Sequence, residues 1–91
     1  MYVDVHHNIR NPESFWKALE TIEEQCGAAR LRRVLRNETG DRAVALWEAD
    51  SMDSAKAAIE ALVGTFSENE YEPVKSLRAW RINHHEPRSQ K

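Results

Sequence analysis

Four histidines stand in two pairs, His6-His7 near the start of the chain and His84-His85 near its end. Histidine titrates close to neutral pH and is the commonest metal ligand. Neighbouring residues of a strand point to opposite faces, so only one member of each pair can join a given site. Asp4 lies two residues before His6, on the same side of a strand. This carboxylate and imidazole could form a general base with its orienting partner, or hold a metal with a further ligand.

Aromatic side chains are candidates for the walls of a pocket around that pair. Tyr2, Trp47 and Trp80 are predicted ligand-binding residues, because small-ligand cavities are mostly apolar with a few placed polar groups. The pattern does not fix whether Trp80 or Arg81 faces such a pocket, nor whether Trp47 or Glu48 does. Glu48 is therefore a further ligand-binding candidate. The alternative is that these aromatic residues belong to the core or to an interface.

The first part of the chain predicts a strand followed by a helix. Residues 2–9 alternate between two sets of side chains, which is typical of a strand with two different faces. The Asn-Pro-Glu sequence at 11–13 marks a helix start, with an N-cap, a proline in the first turn and an acid near the positive end of the helix dipole. An apolar stripe with helical spacing continues to Cys26, and we expect Gly27 to end the helix.

The middle of the chain predicts a β-hairpin and a second helix. Residues 30–37 and 42–49 read as strands joined by a turn at 38–41. The continuous apolar run in the second of them indicates burial on both faces, and so a central strand. The Asp-Ser sequence at 50–51 caps the second helix, and we expect this helix to end at Gly64.

The last third of the chain completes the predicted topology. Residues 67–70 fit a capping box and predict a single helical turn, and residues 75–83 predict the last strand. The fold class is therefore α+β: a ferredoxin-like βαββαβ order, with a four-stranded antiparallel sheet and two helices on one face. We expect one domain over residues 1–85 and a disordered tail over 86–91.

A homodimer follows from the sheet face that the helices leave uncovered. That face would carry Trp47 or the Val44–Leu46 pair, an exposed apolar patch that soluble monomers avoid. A second copy packed sheet on sheet is the simplest cover. The alternative is a monomer that tolerates a few apolar surface residues.

Part of the sequence resembles a known family. Residues 45–51 (ALWEADS) are followed by a predicted helix, Gly64 and residues 69–74 (NEYEPV); this pattern is similar to the dimeric α/β-barrel superfamily, and more distantly to its small nickel-binding members. The resemblance covers roughly residues 43–75. It implies two sheets that close around a shared cavity, and members of the superfamily include monooxygenases, polyketide cyclases and muconolactone isomerases.

Two functional hypotheses lead from the residues and the resemblance together, beside a structural or regulatory dimer that binds no small ligand. The first is a dimer that binds a small ligand, or a divalent transition metal of the nickel type at His6 and Asp4. The alternative is a cofactor-independent enzyme, a cyclase, isomerase or small monooxygenase, with His6 as general base and Asp4 as its orienting partner. Whether the protein is an enzyme stays open at this point.

Composition limits the other classes of function. The formal net charge of −2 does not favour nucleic acid or an anionic membrane, and no apolar run reaches the length of a membrane-spanning helix. The single cysteine excludes a disulfide within the chain. The start of the sequence does not read as a signal peptide, so we expect a cytoplasmic protein.

Overall fold

The computed structural model describes residues 1–23 and 25–83 of the 91-residue chain. It has a mixed α+β fold with an antiparallel sheet, as predicted. The elements in chain order are β1 (Tyr2–Ile9), α1 (Pro12–Ile22), β2 (Gln25–Cys26), β3 (Ala29–Arg36), β4 (Arg42–Ala49), α2 (Met52–Val63), β5 (Ser67–Val74) and α3 (Leu77–Asn83). His84, His85 and the predicted tail at 86–91 lie outside the described residues.

The sheet has the strand order β2-β3-β4-β1-β5, and each neighbouring pair is antiparallel. β1 therefore lies between β4 and β5. In this register His6 is flanked by Val44 on β4 and Glu70 on β5. Two residues earlier, Asp4 is flanked by Leu46 and Glu72 in the same way.

The helix starts agree with the sequence, and one of the helix ends does not. The side-chain oxygen of Asn11 accepts a hydrogen bond from the Ser14 amide at 3.2 Å, and Ser51 caps α2 through the Ser54 amide at 3.1 Å. α2 ends before Gly64 as predicted. α1 stops at Ile22, because Glu23 adopts a left-handed conformation (φ 50°). The glycine expected to end α1 lies instead in the turn after β2.

The C-terminal part of the prediction was wrong in two places. The predicted helical turn at 67–70 is part of β5, and the predicted strand at 75–83 is the helix α3. A period of two runs through β5, where Ser67, Asn69 and Tyr71 are more buried than the glutamates between them. Pro73 is tolerated because β5 is an edge strand among the described elements. Because the short strand β2 and the helix α3 are additions to the predicted set, the described residues form five strands rather than four and three helices rather than two.

The hydrophobic core fills the space between α1, α2 and one face of the sheet. β1 and β4 supply their odd-numbered residues, and the helices supply Phe15, Leu19, Ala55, Ile59 and Val63. Trp47 is fully buried in this core. β4 lies between β3 and β1 with both Leu46 and Trp47 buried, so the central strand buried on both faces is confirmed.

We call the opposite surface of the sheet the outer face; β1 and β4 present their even-numbered residues to it. α3 lies against this face, where Trp80 is 4% exposed and its indole N–H donates a hydrogen bond to Asp4. Leu46 is also buried there. The dimer was predicted from an uncovered sheet face that carries Trp47 or the Val44–Leu46 pair. The pair does lie on the outer face, where Leu46 is buried and Val44 is half-buried, whereas Trp47 is buried in the core.

Candidate functional site

The predicted pair of Asp4 and His6 lies on the outer face, in the middle of the sheet. His6 is exposed, whereas Asp4 is 7% exposed. The Nε2 atom of His6 lies 3.3 Å from Oδ2 of Asp4. The Nε1–H group of the Trp80 indole donates to the other carboxylate oxygen, Oδ1, at 3.1 Å. A buried carboxylate held by an indole thus orients an imidazole that solvent can reach.

A cleft of about 470 Å³ opens beside this pair and is lined by His6, Glu70, Tyr71 and Glu72. Its volume falls within the range of clefts that bind small molecules, roughly 300–1,000 Å³. Glu70 and Glu72 are register neighbours of His6 and Asp4, so three carboxylate side chains lie on the same face as the imidazole. Such a surrounding attracts a positively charged ligand.

Five of the six predicted site residues share the outer face. Tyr2 is half-buried and lies opposite Glu48 on β4, two residues before Asp4 on β1. Glu48 turns toward β3, where its Oε1 lies 3.7 Å from Nη1 of Arg32. Trp80 does face the pair, although it reaches it from a helix rather than from a strand. The sixth residue, Trp47, lies in the core on the other side of the sheet from His6 and cannot line the same pocket.

Sequence reasoning missed the two glutamates of β5. Glu70 and Glu72 were assigned to a helical turn and to the segment after it, so neither was placed beside His6. The available signal was the alternation of Glu68, Glu70 and Glu72 with less polar residues, which has the period of a strand.

His7, the neighbour of His6, is buried on the opposite face and belongs to a hydrogen-bonded network that reaches the surface at Glu60. Its Nδ1 donates to Oδ1 of Asn69 at 2.6 Å, and Asn69 in turn donates through Nδ2 to Glu60 at 2.8 Å. The hydroxyl of Tyr71 donates to the same Glu60 oxygen at 2.5 Å. Nε2 of His7 is buried and has no hydrogen-bond partner among the described residues. The predicted division of the two histidines between opposite faces is confirmed.

Burial controls the ionisation of this network. Desolvation lowers the pKa of His7 below its ordinary value, and the bond to Asn69 opposes the shift only in part. Desolvation also raises the pKa of Tyr71, and the hydrogen bond to Glu60 and the charge of Glu60 raise it further. We therefore interpret His7 as a neutral structural residue that ties β1 to β5 and α2.

The donor set for a metal is incomplete within one copy of the described chain. Among residues 1–23 and 25–83, no three His, Cys, Asp or Glu side chains are placed to hold a metal ion. His6 and Asp4 would supply two donors. Among the described residues, rotation of Glu70 or Glu72 would supply a further donor, and a second copy would supply others.

Comparisons with known proteins returned no family model, no curated protein and no solved structure that matches this chain. The resemblance to the dimeric α/β-barrel superfamily stays a prediction. Within the described residues, none of the helices combines the length and the apolar character needed to cross a membrane.

Proposed function

We propose that this protein binds a small cationic ligand, either a divalent transition-metal ion or a protonated amine, in the cleft beside Asp4 and His6. The observation that carries the proposal is an exposed imidazole held by a buried carboxylate, with Glu70 and Glu72 on the next strand. The imidazole can coordinate a metal or accept a hydrogen bond from an ammonium group. The carboxylates supply the charge that favours either ligand.

The metal version of the proposal depends on donor chemistry. Imidazole nitrogen suits nickel, zinc and copper, and carboxylate oxygens complete many of their sites. Glu70 stands opposite His6 across β1 and β5, so their Cβ atoms are roughly 4.5–5.5 Å apart. A change of glutamate rotamer can bring that carboxylate toward the imidazole without moving the backbone.

We expect His6→Ala to remove this binding. Isothermal titration calorimetry with Ni(II), Zn(II) and methylammonium should give saturable binding to the wild type by at least one of them, and at least a tenfold loss of affinity in the variant. Asn8→Ala is the matched control, because Asn8 is exposed two residues further along the same face of β1. Binding that is weaker than millimolar for all three ligands, or equal in wild type and His6→Ala, contradicts the proposal.

The proposed assembly is a homodimer of ferredoxin-like βαββαβ subunits, with β2 and α3 as additions to that order. The strand order β3-β4-β1-β5 and the packing of α1 and α2 on one face support this fold of the subunit. The outer face beside α3 holds the register partners Leu35 and Val44, both half-buried, next to the exposed His6. A second copy would cover these residues and enclose the cleft.

Sedimentation equilibrium tests the dimer independently of any ligand. We expect the wild type to sediment as a dimer at micromolar concentration, and Val44→Glu to dissociate it because a charge would enter the interface. Ala57→Glu, on an exposed position of α2, should leave the dimer intact. A wild-type monomer under these conditions rules out the assembly but leaves the cleft beside His6 in place.

A second candidate function is proton transfer by the same pair in a cofactor-independent enzyme. The specific observation in its favour is that both oxygens of Asp4 are engaged, one by His6 and one by the Trp80 indole, which fixes the orientation of the imidazole. Solvent deuterium exchange into the α-carbon of small ketones and 1,3-dicarbonyl compounds, followed by NMR, would detect such a base. Exchange at equal rates with wild type and His6→Ala would remove this candidate.

A further inference from the structure

A β-bulge interrupts the pairing of β3 with β4. Leu31 pairs with Trp47, and Arg33 pairs with Leu46, so Arg32 is the extra residue on β3. Side chains alternate strictly along a regular strand, which would send Arg32 and Arg33 to opposite faces. A bulge breaks that alternation, so side chains next to it can point to the same face of the sheet.

The result is that three arginines share the outer face. Arg30 and Arg33 are the register partners of Glu48 and Leu46, which face outward. Arg32 is on the same side, because its Nη1 atom lies 3.7 Å from Oε1 of Glu48. Leu31 and Val34, on either side of the two consecutive arginines, pack against the core instead. All three arginine side chains are exposed.

Two of the arginines, Arg32 and Arg33, line a cleft of about 340 Å³ together with Leu31 and Val34. The 3.7 Å ion pair between Arg32 and Glu48 joins two side chains about two-fifths exposed, and such a pair stabilises little and is easily exchanged. Guanidinium groups present planar pairs of donors that match the oxygens of phosphate and carboxylate groups. Three of them on one sheet face suit a small oxyanion.

We propose that Arg30, Arg32 and Arg33 form a binding site for a small oxyanion ligand, carrying a phosphate or carboxylate group. This site goes beyond the proposed cation cleft and is separate from it. β4 lies between β3 and β1, so the two strands are about 10 Å apart. The protein then has an anion site and a cation site side by side on one sheet face.

A titration of the full chain with inorganic phosphate and, separately, with benzoate tests this site. Backbone amide NMR at constant ionic strength, set with sodium chloride, should show saturable shifts at residues 30–34. The two probes separate a phosphate source from a carboxylate source. We expect Arg30→Gln/Arg32→Gln to weaken binding at least about tenfold for the anion that binds, as charge-assisted hydrogen bonds are lost.

Two matched variants separate this site from general charge effects and from the cation cleft. Arg42→Gln removes one exposed arginine outside the cluster and should change the affinity less than twofold. His6→Ala should leave anion binding unchanged, so the failure of one site can be told from the failure of the other. Equal weakening in Arg42→Gln and in the double variant, or no saturation below about 10 mM of either anion, would overturn the proposal.

Discussion

Trp80→Ala is expected to destabilise the protein by about 3–5 kcal/mol, the usual cost of truncating a buried tryptophan. Trp80 is 4% exposed and carries the contact between α3 and Asp4. α3 has only seven residues, and a helix of that length is not stable without tertiary packing. Losing this side chain should therefore release α3 from the outer face. Urea unfolding followed by circular dichroism measures the change in the free energy of unfolding.

Two further substitutions divide this effect into its parts. Trp80→Phe keeps most of the apolar contact but loses the indole donor to Asp4, and should cost about 1–3 kcal/mol. Leu77→Ala, at the exposed start of the same helix, should cost well under 1 kcal/mol. If Trp80→Ala costs no more than Leu77→Ala, α3 is not docked on the outer face and the orientation of Asp4 has another origin.

Stability is expected to fall as the pH is lowered through about 6.5, the ordinary pKa of histidine. Burial lowers the pKa of His7 in the folded chain, so the unfolded chain binds a proton first. Protonation then stabilises the unfolded state, and it stabilises the folded state to the same extent only below the lowered pKa. The contribution of His7 is thus fully present above pH 6.5 and is lost between that value and the folded-state pKa.

The variant His7→Gln removes this titration and retains an amide that can donate to Asn69. Urea unfolding of the variant between pH 5 and pH 7.5 should give a flatter dependence on pH than that of the wild type. Asn8→Gln is the control and should keep the wild-type slope, because Asn8 is exposed on the same strand and carries no titratable group. If the free energy of unfolding of His7→Gln depends on pH as steeply as that of the wild type, protonation of His7 at Nε2 does not destabilise the fold.

Local patterns were enough to predict much of the fold. The two faces of β1, the caps of α1 and α2, the hairpin between β3 and β4 and the central position of β4 all depend on residues close in sequence. The alternation over 2–9 alone placed Asp4 and His6 on one face. These features were predictable because turn chemistry, capping and side-chain periodicity act over a few residues.

The features that were not predicted depend on contacts between distant segments. α3 forms where Trp80 docks on the outer face, and the pattern of residues 75–83 alone favoured a strand. The apolar run of β4 did not show whether its odd-numbered or its even-numbered residues face the helices. The pairing of Val3 with Trp47 puts the odd-numbered residues on the helix side. The glutamates of β5 reach His6 only through the β1–β5 register, which no local signal encodes. The bulge at Arg32 is likewise a property of strand pairing.

The measurement that tests the cation site most directly is long-range ¹H–¹⁵N NMR of the histidine rings during titration with Zn(II), Ni(II) or methylammonium. We expect a saturable change in the ring nitrogens of His6, with the buried ring of His7 unchanged. A metal would act on the ring by coordination and an amine by a hydrogen bond, so the size of the ¹⁵N change tells the two apart. Ring signals of His6 that stay constant up to millimolar concentrations of every ligand would contradict a cation site at His6.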